Sequence, residues 1–429
     1  MKGLSLKSYF RFLAFMLMMI TYLPIVYQNL PSYIRSHYLW SALWILSIII
    51  FRRKVFLDKT LQYVLAYLIV FFILLFANFW EPIEYITLAF GGNLMNELFA
   101  FSIAFSIIAY FKSYGDYEGL AIIVKWTIIF IGITAILSIY SSFIDPLYVR
   151  KLTSGKSIDA AIIYKLGGGG YGFASALVCL FPLLIYFYKN NTKSLFSKNQ
   201  ILLFGIICFF ALLRIQIFAN ILVAFIFILL SLVGRRKFGS SIITAIIVII
   251  IFLVIPQQFY ADLFSHISTY FKQDSDIHYK FVDLSQFLIG NNGNEITEVS
   301  GRVHRYLELW EAFLKNPLLG YFFAENPTDI NRGGHLYFMY KLTGWGIINF
   351  LFFTLIFIKF YKVNNKMYDE KYSYYFFLSF ISIIALGLMK NLVSRDLWYI
   401  YFIILPGIYY LTILKNKKEN RKLQSSNLY

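Results

Sequence analysis

The chain has 429 residues, of which 59% are hydrophobic and 20% aromatic, while only 14% are charged, and its mean hydropathy is +0.66. Soluble domains are about 45–50% apolar, so a soluble enzyme is excluded. Disordered and disulfide-framework classes are excluded as well, because the apolar runs are long and only two cysteines, Cys179 and Cys208, are present. These properties predict an all-α integral membrane protein.

Apolar windows recur along the whole chain, with lengths near the roughly 17–25 residues that cross ~30 Å of hydrocarbon. They predict twelve spans, at 9–28, 38–51, 61–80, 98–111, 119–141, 170–188, 200–214, 217–233, 239–257, 336–358, 373–389 and 396–414. The expected organisation is therefore spans 1–9 within 1–257, a large outer loop over 258–335, spans 10–12 within 336–414, and a basic tail over 415–429.

The formal net charge of +17 is distributed unevenly over this topology. With the N-terminus in the cytoplasm, 23 of the 39 Lys and Arg residues fall on the inner side, 15 on the outer side, and Lys125 within span 5. Six acidic residues fall inside and 16 outside. This positive-inside asymmetry predicts that both termini are cytoplasmic. The basic clusters adjoin span ends, where anionic lipid attracts them, so nothing in the charge indicates nucleic-acid binding.

Every histidine falls in an outer-side segment, so groups that titrate near neutrality are expected on the outer face. The five are His37, His266, His278, His304 and His335. The four histidines other than His335 are interpreted as ordinary loop residues. His335 differs because it follows Gly333 and Gly334 at the mouth of span 10, where glycines let backbone approach a ligand closely.

An amphipathic helix is predicted within the large outer loop. Ser300 is the expected N-cap, Asn316-Pro317 ends the helix, and apolar residues recur at Val303, Leu307, Trp310 and Leu314. The helix is expected to lie against the membrane's outer surface or the bundle, with Arg302 and Arg305 one turn apart on its polar side. A guanidinium binds phosphate oxygens through two donors at once, and a helix N-terminus adds N–H donors. The alternative is that each arginine reaches up to lipid headgroups.

Arg214 lies between the apolar stretches 201–213 and 215–232, with hardly any loop to solvate it. Ionisable residues at such depth are costly and usually face the bundle interior or a wet cavity. Arg214 is therefore a candidate functional residue. The alternative is that it simply forms the outer turn between spans 7 and 8.

Two further motifs suggest ligand sites less strongly. Gly167–Gly172 lacks the preceding strand and the following Lys-Ser/Thr of a phosphate-binding loop, so it predicts a flexible lead into span 6. Asp274-Ser275-Asp276 has the spacing of a metal-binding carboxylate pair, which short polar loops also produce by chance. We therefore expect neither a metal nor a cofactor.

The order of these residues over about 200 to 350 resembles the bacterial O-antigen polymerase and O-antigen ligase superfamily, the Wzy-type integral-membrane glycosyltransferases. Arg214 matches an arginine at the outer start of a mid-chain span. A Ser-Gly-Arg element and a Trp-containing helix ending in Asn-Pro-Leu-Leu-Gly open the family's outer loop, and they match Ser300-Gly301-Arg302, Trp310 and Asn316–Gly320. The last match is a histidine followed by an aromatic, a leucine and two glycines, here His335, Phe338, Leu342, Gly344 and Gly346.

The resemblance implies a GT-C-like fold and transfer of a polyprenyl-pyrophosphate-linked glycan at the outer leaflet of the bacterial inner membrane, without metal or nucleotide sugar. Arg214 and Arg302, supported by Arg305, would stabilise the charge that grows on the leaving pyrophosphate. His335 would accept the proton of the attacking sugar hydroxyl or bind the pyrophosphate. The aromatic bundle would hold the lipid tails, and a chain-length regulator and a flippase would be partners.

Three alternatives remain open. The flanking residues Leu213, Ile215 and Leu336 depart from the ligase pattern, which favours a polymerase over a ligase that transfers glycan to lipid A-core. A flippase for lipid-linked oligosaccharides is the rival from another class, although carriers usually place polar groups at the midplane of paired halves. A structural scaffold would leave the costly position of Arg214 unexplained.

Overall fold

A computed structural model describes residues 5–77, 83–145, 148–149, 166–190, 195–234, 256–271, 273, 276–289, 298–320, 336–392 and 394–417. All regular secondary structure within these ranges is helical. We number the helices α1 (Leu6–Tyr22), α2 (Pro24–Asn29), α3 (His37–Phe51), α4 (Lys59–Ala77), α5 (Ile83–Ser113), α6 (Tyr117–Ile144), α7 (Tyr171–Lys189), α8 (Lys198–Ile215), α9 (Phe218–Val233), α10 (Gln257–Ser268), α11 (Asp276–Ile289), α12 (Glu298–Lys315), α13 (Tyr337–Asn365), α14 (Glu370–Met389), α15 (Arg395–Ile408) and α16 (Leu411–Lys417).

Five of the described helices, α6, α7, α8, α13 and α14, are long and apolar enough to cross a membrane. A sixth span is formed if α15 and α16, which meet at a bend of 40°, are counted together. Three shorter helices or helix segments are also apolar, His37–Phe51, Lys59–Ile73 and Phe218–Val233. The all-α prediction is confirmed for the described residues, and these helices indicate a multi-pass membrane protein.

Eleven of the twelve predicted apolar segments fall on described helices, and the ninth, 239–257, lies almost entirely outside the described residues.

Apolar side chains cover the outer surfaces of α8 and α9. The most exposed include Leu203, Ile206, Phe225 and Leu232. An apolar surface of this extent suits contact with lipid rather than water.

The segment 258–335, expected as a loop, contains helices α10, α11 and α12. Helices α10 and α11 pack against each other as a hairpin: the rings of Phe271 and Phe281 stack at 5.8 Å, and the ring of His278 hydrogen-bonds the carbonyl of Ser268 at 2.9 Å. Asp274 and Ser275 lie outside the described residues.

One end of the helix bundle, which we call the Arg11 end, is held by cationic side chains. Arg11 pairs with Asp116, the N-cap of α6, and Lys417 pairs with Glu118 at 2.7 Å. Three further contacts link neighbouring helix ends there: Lys112 to Asn364, Lys189 to the Leu232 carbonyl, and the stacked rings of Tyr117 and Tyr410. The start of α1 and the end of α16 both lie at this end of the bundle. Cationic side chains near helix C-termini are favourable there, because they offset the negative end of each helix dipole.

The opposite end, which we call the Arg214 end, brings together the last turns of α1, α6 and α8 and the first turns of α3, α7, α13 and α15. The Tyr22 hydroxyl at the end of α1 donates to the carbonyl of Asp396 at the start of α15. The backbone N–H of Tyr337, the first residue of α13, donates to the carbonyl of Lys390 just after α14 at 3.2 Å. Helix α7 lies in the middle of the bundle, in contact with α8, α9, α14 and α15.

Candidate functional site

Arg214 lies in the last turn of α8 and is half-buried, so the sequence correctly placed it beside a turn. Its Nε donates to the Ser142 hydroxyl at 2.9 Å, and one terminal nitrogen donates to the Ser142 carbonyl at 2.8 Å. The guanidinium carbon also lies 4.5 Å from the centre of the Phe143 ring. These contacts fix the guanidinium against the end of α6, and they leave the second terminal nitrogen without a hydrogen bond to any described residue.

Ser142 belongs to a row of polar residues on α6. Thr134, Ser138 and Ser142 are each one turn apart, so they lie on a single face, and all three are fully buried. We call this row the α6 polar stripe. Thr134 donates to the Tyr22 carbonyl, and the Ser138 hydroxyl accepts the backbone N–H of Gly169 at 2.8 Å. The stripe therefore places Arg214 about one helical turn, or roughly 5.4 Å along the axis, from the glycine-rich segment that precedes α7.

This glycine-rich segment, Gly167–Gly172, is packed tightly, so its interpretation as a flexible lead was wrong. Gly167, Gly168 and Gly169 are buried, and the Tyr148 hydroxyl donates to the Gly169 carbonyl at 2.9 Å. Gly167 has φ +94°, a conformation that other residues rarely adopt. Glycine is needed here because neighbouring helices approach the backbone too closely for side chains.

The segment opens onto a polar cavity at the Arg214 end. Its volume is about 310 Å³, and its polar lining includes Gln28, His37, Gly170, Arg395 and Asp396. His37, expected in an outer loop, is instead the first residue of α3 and only 5% exposed. Its Nδ1 has no hydrogen-bond partner among the described residues. This cavity could not be predicted from local sequence patterns, because its lining comes from five separate regions of the chain.

Arg302 and Arg305 both fall on α12, one turn apart as expected. Arg305 is half-buried, and no hydrogen bond or ion pair links it to a described residue. The side chain of Arg302 and the whole of His335 lie outside the described residues. The structure therefore places the backbone of Arg302, while the predicted meeting of Arg214, Arg302 and His335 stays a prediction.

Helix α12 packs on α13 through residues outside the predicted apolar stripe. Its buried residues are Leu309, Ala312 and Phe313, whereas three members of the predicted apolar stripe, Leu307, Trp310 and Leu314, are exposed. The Thr343 hydroxyl donates to the Leu309 carbonyl at 2.9 Å, and that of Tyr306 donates to the Leu388 carbonyl. Partial burial raises the pKa of Tyr306, so this phenol remains a donor at neutral pH. The helix starts at Glu298, so Ser300 lies inside its first turn instead of capping it.

The Asn316–Gly320 element joins α12 directly to a break in α13. Gly346 has φ +68°, so the regular hydrogen-bond ladder of α13 is interrupted there. The N–H groups of Ile347 and Ile348 are satisfied instead by the carbonyls of Pro317 and Leu318, at 2.8 and 3.4 Å. Backbone groups exposed by a helix break need such replacement partners inside a membrane protein. Two elements that carried the family resemblance, Asn-Pro-Leu-Leu-Gly and the glycine pair of α13, thus form one backbone contact.

Replacing Gly346 by alanine should strongly destabilise the protein. A Cβ there would overlap the Leu318 carbonyl oxygen and the Gly320 nitrogen, and the residue would keep a strained positive φ. Gly205→Ala is the matched control, because a Cβ at Gly205 in α8 meets nothing within 4 Å. The fraction of detergent-solubilised protein that remains monodisperse after heating measures the effect. Equal behaviour of the two variants would contradict this account of the α12–α13 contact.

A buried ion pair lies at the start of α13, and sequence reasoning missed it. Lys341 Nζ is 2.8 Å from Glu97 Oε2, and the Tyr337 hydroxyl donates to Glu97 Oε1. Lys341 also lies 3.6 Å from the centre of the Trp345 ring. The charge tally assigned both ionisable residues to the outer side, yet Lys341 is 3% exposed and Glu97 is 2% exposed. Lys341 lies within an apolar segment, which is the signal that could have revealed the pair.

Among the described residues, no three His, Cys, Asp or Glu side chains come close enough to hold a metal ion. Cys179 and Cys208 are both buried, and neither forms a disulfide, in line with the excluded disulfide framework.

Comparison of the sequence with protein-family models gives no match, and no curated protein matches it either.

Proposed function

We propose that this protein is an integral-membrane glycosyltransferase that joins polyprenyl-pyrophosphate-linked oligosaccharide repeat units into O-antigen or capsular polysaccharide. In this proposal it has twelve spans in a GT-C-like arrangement in the bacterial inner membrane, with both termini cytoplasmic. The reaction takes place at the outer leaflet, and a flippase and a chain-length regulator are its partners.

The observation that carries the proposal is the location of Arg214. A half-buried guanidinium is fixed by Ser142, about two turns along the α6 polar stripe from Thr134, which lines a polar cavity. This arrangement suits a dianionic leaving group beside a second substrate. Helix α12, which bears Arg302 and Arg305, packs on α13, whose first turn lies at the same end. This end is remote from Arg11, Lys189 and Lys417, which supports an outer location by the positive-inside rule.

Within this mechanism Arg214, Arg302 and Arg305 bind the pyrophosphate. The bond between the sugar anomeric carbon and the phosphate oxygen breaks, while the acceptor hydroxyl forms the new glycosidic bond and loses its proton. His335 accepts that proton, or it binds the pyrophosphate. The guanidinium groups stabilise the negative charge that develops on the departing lipid pyrophosphate.

A reconstituted assay tests this function. Protein in lipid nanodiscs is supplied with the lipid-linked repeat unit extracted from its own host, and products are separated by length. Glycans of several repeats on the polyprenyl carrier, with release of polyprenyl pyrophosphate, are the expected result. Products that form only when lipid A-core is added would identify a ligase. Absence of both products, together with movement of the lipid-linked unit across proteoliposome membranes, would identify a carrier.

A further inference from the structure

The polar cavity at the Arg214 end is lined by hydrogen-bonding groups, and at least one of them, His37 Nδ1, has no partner among the described residues. His37 is 5% exposed and lines the cavity. A neutral imidazole nitrogen accepts or donates a hydrogen bond, according to the tautomer. A buried hydrogen-bonding atom left without a partner is costly, so a polar ligand group would be favoured there.

The charges around the cavity distinguish between classes of ligand. Arg395 and Asp396 both line it, so a cation and an anion stand side by side. The carboxylate of Asp396 lies close to the start of α7, 3.3 Å from the place a Cβ on Gly172 would occupy. A phosphate in so small a space would face this carboxylate and be repelled. A neutral molecule with several hydroxyls is not repelled, because each hydroxyl can both donate and accept.

The first turn of α7 adds backbone donors to the cavity lining. Gly170 is the N-cap of α7, and no side chain caps it. The first N–H groups of a helix have no partner within the helix, and nothing protrudes from Gly170, where a Cβ would meet nothing within 4 Å. A hydroxyl oxygen of the sugar can therefore approach this backbone, while His37 Nδ1 and the Asp396 carboxylate form hydrogen bonds with other hydroxyl groups. Donors and acceptors together match the vicinal hydroxyls of a sugar ring.

We propose that this cavity binds a neutral sugar through His37, Asp396, Arg395 and the start of α7, and that this sugar is the non-reducing end of the acceptor chain. The acceptor assignment rests on the proposed function, because it uses the position of the cavity-lining Thr134 about two turns of α6 from Ser142, the partner of Arg214. The donor pyrophosphate would lie at Arg214, and the acceptor hydroxyl would emerge from the cavity towards it.

The test separates acceptor binding from donor cleavage. Wild type, His37→Phe and Asp396→Asn are assayed in nanodiscs with the host's lipid-linked repeat unit at a concentration below saturation. Glycan lengthening and release of polyprenyl pyrophosphate are measured in the same reaction. Each variant loses one hydrogen bond to the sugar, worth about 1–3 kcal/mol, so lengthening should fall roughly 5- to 150-fold. Release of polyprenyl pyrophosphate should persist, because water can attack the donor sugar in place of the missing acceptor hydroxyl. Thr354→Val is the control, since the Thr354 hydroxyl bonds the Phe350 carbonyl far from the cavity.

Full lengthening in both monodisperse variants would overturn the proposal. So would parallel loss of lengthening and release, because the cavity would then serve the donor. If wild type gives neither product, the proposed function fails. Sugar binding is then tested separately, by measuring whether the host's free oligosaccharide repeat unit raises the thermal midpoint of the protein. Stabilisation of wild type that His37→Phe and Asp396→Asn lose supports the cavity site, and its absence in wild type overturns it.

Discussion

Alanine at Arg302 or at Arg214 should lower the rate of glycan lengthening by roughly 10²–10³-fold, by analogy with the removal of one preorganised oxyanion donor. The pyrophosphate gains charge as the glycosidic bond breaks, so a fixed guanidinium acts more strongly in the transition state than in the ground state. Lysine at Arg302 keeps the charge but cannot offer two parallel donors to one phosphate, so most of the activity should be lost there as well. The reconstituted lengthening assay measures all three variants.

Arg214 needs a control that separates its structural contact from its proposed catalytic contact. Ser142→Ala removes the hydroxyl that accepts from Nε and keeps the carbonyl that accepts from the terminal nitrogen. The guanidinium would therefore remain near its place, and lengthening should fall far less than in Arg214→Ala. If both alanine variants at Arg302 and Arg214 lengthen glycan at the wild-type rate and normal abundance, the pyrophosphate site is elsewhere.

Local patterns in the sequence predicted the helices well, because an apolar window reports the burial and lipid contact of its own residues. The same reasoning located Arg214 beside a turn. It could not supply Ser142, the partner of Arg214, which lies 72 residues away in the chain. The spacing of Thr134, Ser138 and Ser142 did carry a usable signal, since three small polar residues four apart define one face of a helix.

Two sequence patterns were ambiguous for a common physical reason. Glycine permits both flexibility and close packing, and composition alone does not distinguish them. The segment 167–172 was expected to be flexible, although Ser138 and Tyr148 hold it. A stripe of apolar residues likewise permits contact either with protein or with lipid. The stripe of α12 left open whether it faces the membrane or the bundle, and in the structure Leu307 and Trp310 are exposed while Phe313 is buried.

Breaking the ion pair between Glu97 and Lys341 should produce the largest loss of stability. Glu97→Ala leaves Lys341 as an uncompensated charge in the bundle, a change that costs about 3–5 kcal/mol for buried pairs. Tyr337→Phe is the matched control, because it removes one hydroxyl donor to Glu97 and leaves the salt bridge in place. Its cost should be smaller, about 1–3 kcal/mol. The thermal midpoint of monodisperse protein in detergent ranks the two variants.

The double variant Glu97→Ala with Lys341→Met determines whether the charges themselves stabilise the fold. Removing both leaves no buried charge, and methionine can fill the space beside Trp345, which the Lys341 ammonium now contacts at 3.6 Å. We therefore expect the double variant to recover most of the midpoint that Glu97→Ala loses, since apolar replacements of buried pairs are often neutral. A double variant as unstable as Glu97→Ala would contradict this expectation. The shape of the Glu97 side chain between α5 and α13, and not its charge, would then be what holds the start of α13 in place.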